Sequence, residues 1–153
     1  MNNLQIISNE TLNKITTKRA GETKFFERAK YLTAPLNLPS MLEDAEVKFV
    51  LFGIKEDIGV LANNGHPGAK DTWDVALKSL LNLQSNQFTN PSNVLLLGHL
   101  DFSELYDALA TNEPENLQQT YRSYVEKIDQ SVTKLVCTIV KAGKIPILIG
   151  GGH

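Results

Sequence analysis

Several things are scarce in this sequence, and each scarcity removes a class of protein. One cysteine, Cys137, among 153 residues rules out an internal disulfide framework. No apolar run approaches the roughly 20 residues of a membrane-crossing helix. Excess charge of either sign is missing too: 15 Lys and Arg face 17 Asp and Glu, for a net charge of −2. That balance leaves no basic footprint for nucleic acid and no polybasic patch for a membrane surface. The N-terminus, "MNNLQIISNETLNKI", lacks the basic-then-apolar layout of a secretory signal. With the lone cysteine, this fits a cytoplasmic protein. There is no internal repeat, no low-complexity tract, no second domain and no Gly-Lys-Ser/Thr phosphate loop. What remains, 42% hydrophobic and 21% charged, is an ordinary globular composition with enough chain for a core.

The hydrophobic pattern changes character near residue 46. Residues 1–45 are polar and mixed, with Phe25, Phe26, Ala29 and Leu32 spaced for one helix face and "TAPLNLPS" breaking the pattern. This reads as a helical N-terminal arm lying on a core. From Val47, "VKFVLFG" is a continuous β-branched and aromatic run, the mark of a strand covered on both faces. Similar runs follow at 93–98 and 146–150. Between them, Asp71 can cap a helix carrying Trp73, Ala76, Leu77, Leu80 and Leu81. Leu117, Tyr121, Tyr124, Ile128, Val132, Leu135 and Ile139 recur at steps of 3 and 4 and predict one long amphipathic helix ending at Gly143. Cys137 sits in this pattern and reads as core packing. Strands alternating with helices predict an α/β fold with three parallel strands, the first one central, in the order second–first–third.

In such sheets ligands bind beyond the carboxyl ends of the strands. Gly53, Gly98 and the run Gly150-Gly151-Gly152 are read as lying at those ends, with His153 just past the third strand. The same glycines also fit a flexible turn followed by a tail histidine. His66, Glu56 and Asp57 fall in the loop after the first strand. His66 could contact substrate or serve a turn, and the two carboxylates read as solvated loop charges. His99 reads as a loop histidine beside the site, and Trp73 as core.

"GKIPILIGGGH" resembles the first metal-binding motif of the ureohydrolases, the family of arginases, agmatinases and formimidoylglutamases: a strand, then Gly-Gly-x-His. "FGIKEDIGVLANNGHPGAKDTWDVAL" resembles that family's first strand, its loop and the stretch opening the next helix. With "LLNLQSNQF", the match is nearest the formimidoylglutamase-like branch, over residues 45–153. The resemblance implies the N-terminal portion of a three-layer α/β/α arginase-like fold. It implies two Mn²⁺ ions bridged by a hydroxide, His153 as a metal ligand, and a small amidine or guanidino substrate. Formimidoylglutamate is the expected substrate, with arginase or agmatinase activity as the alternative. A non-catalytic α/β binding or assembly module is the alternative of another class. Residues 46–153 would be the first part of the catalytic domain, cut at the first ligand motif, inactive alone and part of a homo-oligomer. Three places depart from the family pattern. Gly152 stands where many members have Asp, His66 where Arg is frequent, and Thr72-Trp73 where Gly-Pro is common.

Overall fold

The computed structural model describes residues 3–32, 37–88, 90–112 and 114–152. His153, the expected metal ligand, lies outside the described residues, as does the 33–36 part of the "TAPLNLPS" break. Three long strands make the centre of the sheet: β3 (Phe49–Lys55), β4 (Val94–Asp101) and β5 (Ile145–Ile149). All three are parallel, and β3 lies between the other two. This is the expected order. Short helices α3 (Ile58–Ala62) and α4 (Thr72–Leu81) lead from β3 to β4, and α5 (Ser103–Asn112) and α6 (Leu117–Lys141) from β4 to β5.

Alternation along β3 sends side chains to two separate cores. Val50, Phe52 and Ile54 pack with Ile128, Leu135 and Ile139 of α6. Leu51 faces the other way and packs with Trp73, Leu77 and Leu81 of α4. Strands β3 and β4 are therefore buried on both faces, which is why their sequences run apolar without a polar alternate. Helix α6 matches the 3–4 periodicity, with Asn116 Oδ1 accepting from the Gln119 amide at 3.0 Å to close its N-terminus. Cys137 is exposed, against expectation. It stands two residues past Leu135, about 200° round the helix from the buried stripe.

The sheet is larger than expected and not wholly parallel. Two strands from the first 45 residues, β1 (Leu4–Ile6) and β2 (Lys30–Tyr31), pair with the outer side of β4, β1 antiparallel and β2 parallel. Helices α1 (Asn9–Ile15) and α2 (Leu38–Asp44) separate and follow them. The expected helix face at Phe25–Leu32 is instead a 3-10 turn and then β2. The Phe25 amide bonds the Leu83 carbonyl at 2.8 Å, and Phe25, Ala29 and Leu32 are buried. The free edge of β4 offers ladder partners that outweigh local helix propensity.

Neither Gly53 nor Gly98 ends its strand. A Cβ on Gly53 would fall 2.3 Å from the Trp73 ring, so the indole rests on bare backbone. Gly98 has φ +127, and a Cβ there would lie 1.9 Å from the Gln5 carbonyl oxygen. Its glycine lets β1 close onto β4, next to the extra residue that shifts the β3–β4 register.

Strand β5 pairs with β3 and, among the described residues, has no strand on its other side. Ile145, Ile147 and Leu148 are exposed there. The Ile145 amide points inward, to the Lys48 carbonyl at 2.9 Å. By alternation Pro146, which lacks an N–H, faces the open side and removes one donor from it.

Candidate functional site

Because β3, β4 and β5 are parallel, the segments leaving their carboxyl ends meet at one edge. From β3 come Glu56 and Asp57, from β4 the end at Asp101, and from β5 the glycine turn.

That turn has a built shape. Gly150 and Gly151 have φ +89 and +93, a region that strains any other residue. A Cβ on Gly150 would sit 2.9 Å from the Ile54 carbonyl oxygen, and one on Gly152 would sit 2.9 Å from Asp57 Cα. Three glycines are needed because β3 and the start of α3 press against this turn.

Glu56 and Asp57 overturn the reading of solvated loop charges: they are 0% and 1% exposed. Glu56 Oε2 accepts from the Gly59 amide at 3.1 Å, and Oε1 accepts from the Gly152 amide. Asp57 Oδ2 accepts from the Gly68 amide at 2.7 Å, and Oδ1 accepts the Tyr106 hydroxyl proton at 2.6 Å. The Asp57 amide in turn donates to Tyr106 Oη at 2.7 Å. Burial, reinforced by the hydrogen bond to Asp57, pushes the Tyr106 phenol well up, so it remains a donor. Two adjacent carboxylates thus tie four segments together: α3, the loop before α4, α5 and the glycine turn. Sequence reading missed this pair. Its signal was the glycines at 59, 68 and 152, whose small size lets amides approach a carboxylate.

Two pockets of about 280 Å³ flank this brace. One is lined by Lys55, Lys70, Asp101, Tyr106 and Asp107, with Lys70 Nζ 4.9 Å from the Tyr106 ring centre. Lys55 Nζ also pairs with Asp74 at 2.6 Å. The other is lined by Gly59, Asn63, Arg122, Val125 and Gly152. His66 is exposed on the loop between α3 and α4, two residues before the Gly68 amide that Asp57 holds. Asp71 stands at the N-cap of α4 but makes no side-chain capping bond. Trp73 is core, as expected, at 1% exposure.

His99 is half-buried in β4, opposite Gly53 of β3 and Gln5 of β1. Burial, and then the Lys55 charge, hold its pKa below the ordinary 6.5. A lowered folded pKa means the unfolded chain binds the proton first. This contribution to stability is complete above pH 6.5 and is lost as pH falls through the lowered value. Urea melts from pH 7.5 down to 5 should therefore show the wild type losing more stability than His99→Gln. Parallel losses would show that His99 is freely solvated.

Among the described residues, no group of three or more His, Cys, Asp or Glu is placed to hold a metal ion, and no helix is long and apolar enough to cross a membrane. The fold and this edge define an α/β protein whose loops converge on a braced glycine turn. No family model and no solved structure matches the chain. Two curated formimidoylglutamases, from Salmonella paratyphi C (strain RKS4594) and Salmonella choleraesuis (strain SC-B67), are each 30% identical to it over 112 residues. The match takes in 72% of this chain and 29% of either relative, so the chain spans less than a third of their length.

Proposed function

We propose that these residues belong to a ureohydrolase-type hydrolase that cleaves the C–N bond of a linear amidine, with formimidoylglutamate as substrate. The observation that carries this reading is the 30% identity over 112 residues with two formimidoylglutamases. A glycine turn braced at the carboxyl edge of a parallel sheet supports it, because that edge is where such folds bind ligands. Two Mn²⁺ ions belong to the proposal as cofactor, with His153 as a ligand, His66 contacting substrate, and a cytoplasmic homo-oligomer as the working form. Metal ions of this kind supply a nucleophilic hydroxide at neutral pH, which a delocalised amidinium carbon needs.

The described residues do not by themselves fit an ion pair. They hold no three-donor group, and both oxygens of Glu56 already accept amide protons. Their part in the reaction is therefore to shape the site: Glu56 and Asp57 hold the loops, and Tyr106 keeps its proton. Calorimetric titration of the 153-residue chain with Mn²⁺ should show no stoichiometric binding at micromolar concentration. Tight uptake of two ions would show that the donors are already complete. The activity itself is tested in a protein where these residues stand beside the remaining donors. With Mn²⁺ present, formimidoylglutamate should turn over at least roughly tenfold faster than arginine or agmatine, a margin that one substrate-specific contact can supply. Faster turnover of arginine or agmatine would move the assignment to those enzymes. No turnover of any of the three would favour a non-catalytic module.

A further inference from the structure

The structure assigns Glu56 a positioning role: its buried carboxylate clamps the glycine turn after β5 to the start of α3, fixing the backbone that leads into residue 153. The geometry stands without the hydrolase reading, and its meaning for catalysis rests on that reading.

Three observations carry the assignment. Glu56 is fully buried, and a buried carboxylate is retained at a cost unless hydrogen bonds compensate it. Two of its bonds go to backbone amides, Gly59 in α3 and Gly152 in the turn, the latter 96 positions from Glu56 in sequence. The turn carries no side chain of its own at positions 150 to 152, so it is held by backbone contacts and by this carboxylate. Gly150 and Gly151 have positive φ, and a glycine loses more conformational freedom on being fixed than any other residue. Without a partner for the Gly152 amide, the end of the turn would loosen. A ligand carried on it would then be misplaced, and a 1 Å error at a reacting centre costs about 100-fold in rate.

Asp57, next in the chain, does the same on the other side. It holds Gly68 and Tyr106 but not the turn. The two carboxylates therefore divide the work, and among the described residues it is the Glu56 carboxylate that bonds the segment after β5.

Amide hydrogen exchange on the 153-residue chain tests this directly. In the wild type the Gly152 amide should exchange roughly 100-fold or more slowly than in an unfolded peptide, as amides in stable local structure do. In Glu56→Ala, protection at Gly152 should fall by about tenfold or more, with amides of β3 within about threefold of wild type. Glu56→Gln keeps the shape and one acceptor oxygen for two donors, so Gly152 should be intermediate. Its amide proton should also move upfield as the charge-assisted bond weakens. If the alanine variant does not fold, the glutamine variant decides. Three results would overturn the assignment: a wild-type Gly152 amide exchanging at the free-peptide rate, no change at Gly152 in either variant, or equal loss at Gly152 and β3. The last would make Glu56 a general stabiliser only. None of these readings uses turnover, so a failed formimidoylglutamate assay would count against the proposed activity alone.

Discussion

Trp73→Ala is expected to lower the free energy of unfolding by about 3–5 kcal/mol, the range for emptying a fully buried large aromatic site. Trp73 is the single tryptophan and is 1% exposed. Its ring lies against Gly53, where a Cβ would approach to 2.3 Å, and it fills the core shared with Leu51, Leu77, Leu81 and Leu96. On the other face of β3 a separate cluster packs under α6, so little can move in to fill the space. A loss of this size is a large share of the roughly 5–15 kcal/mol that holds a domain folded. The effect should also reach the site, because a Cβ on Gly150 would lie 3.7 Å from the Trp73 amide nitrogen. Urea denaturation followed by circular dichroism measures it. A loss under about 1 kcal/mol would mean that the indole is not packed as described. Gly53→Ala should act in the same direction, by pushing the ring off its seat.

The parts of this fold that could be read from sequence are those where one local signal has a single consequence. The apolar runs in β3 and β4 had to be covered on both faces, and helices between the three long strands required parallel pairing. The long helix showed its period over 25 residues. The missed parts depend on a partner far away in sequence. Strands β1 and β2 have three and two residues, too few for a periodic signal. They exist because β4 has an open edge and Gly98 lets the backbone of Gln5 come close.

The glycines misled for a related reason. A glycine after an apolar run normally marks a strand end, but Gly53 and Gly98 are inside their strands. Their lack of a side chain answers a neighbour, an indole in one case and a carbonyl in the other. At the site, "KEDIG" has the residue types of a solvated loop. What buries Glu56 and Asp57 is the arrival of amides from Gly68 and Gly152, 11 and 96 positions onward. A single sequence gives the order of the elements, but which amide reaches which carboxylate is settled only when they pack.

Gly152→Asp is the substitution at the site with the largest expected effect, because it adds both bulk and charge where the turn meets α3. A Cβ at Gly152 would lie 2.9 Å from Asp57 Cα, 2.9 Å from Val60 Cγ2 and 3.0 Å from Val60 N. The valine methyl can turn aside, but the two backbone atoms belong to the start of α3 and cannot yield alone. Gly152→Ala isolates this steric part, expected to cost about 1–3 kcal/mol. The aspartate adds a third carboxylate beside two that are already buried, so it should cost more than alanine. The difference should depend on pH in a defined sense. Like charges raise the pKa of the new carboxyl in the folded chain, so the extra penalty is present at neutral pH and shrinks as pH falls toward 4, about the free aspartate value. Urea melts of wild type, Gly152→Ala and Gly152→Asp at pH 7 and near pH 4 give both parts. If aspartate costs no more than alanine at pH 7, the new side chain points to solvent and the turn is looser than described. If both variants match the wild type, the turn does not press on α3 at all.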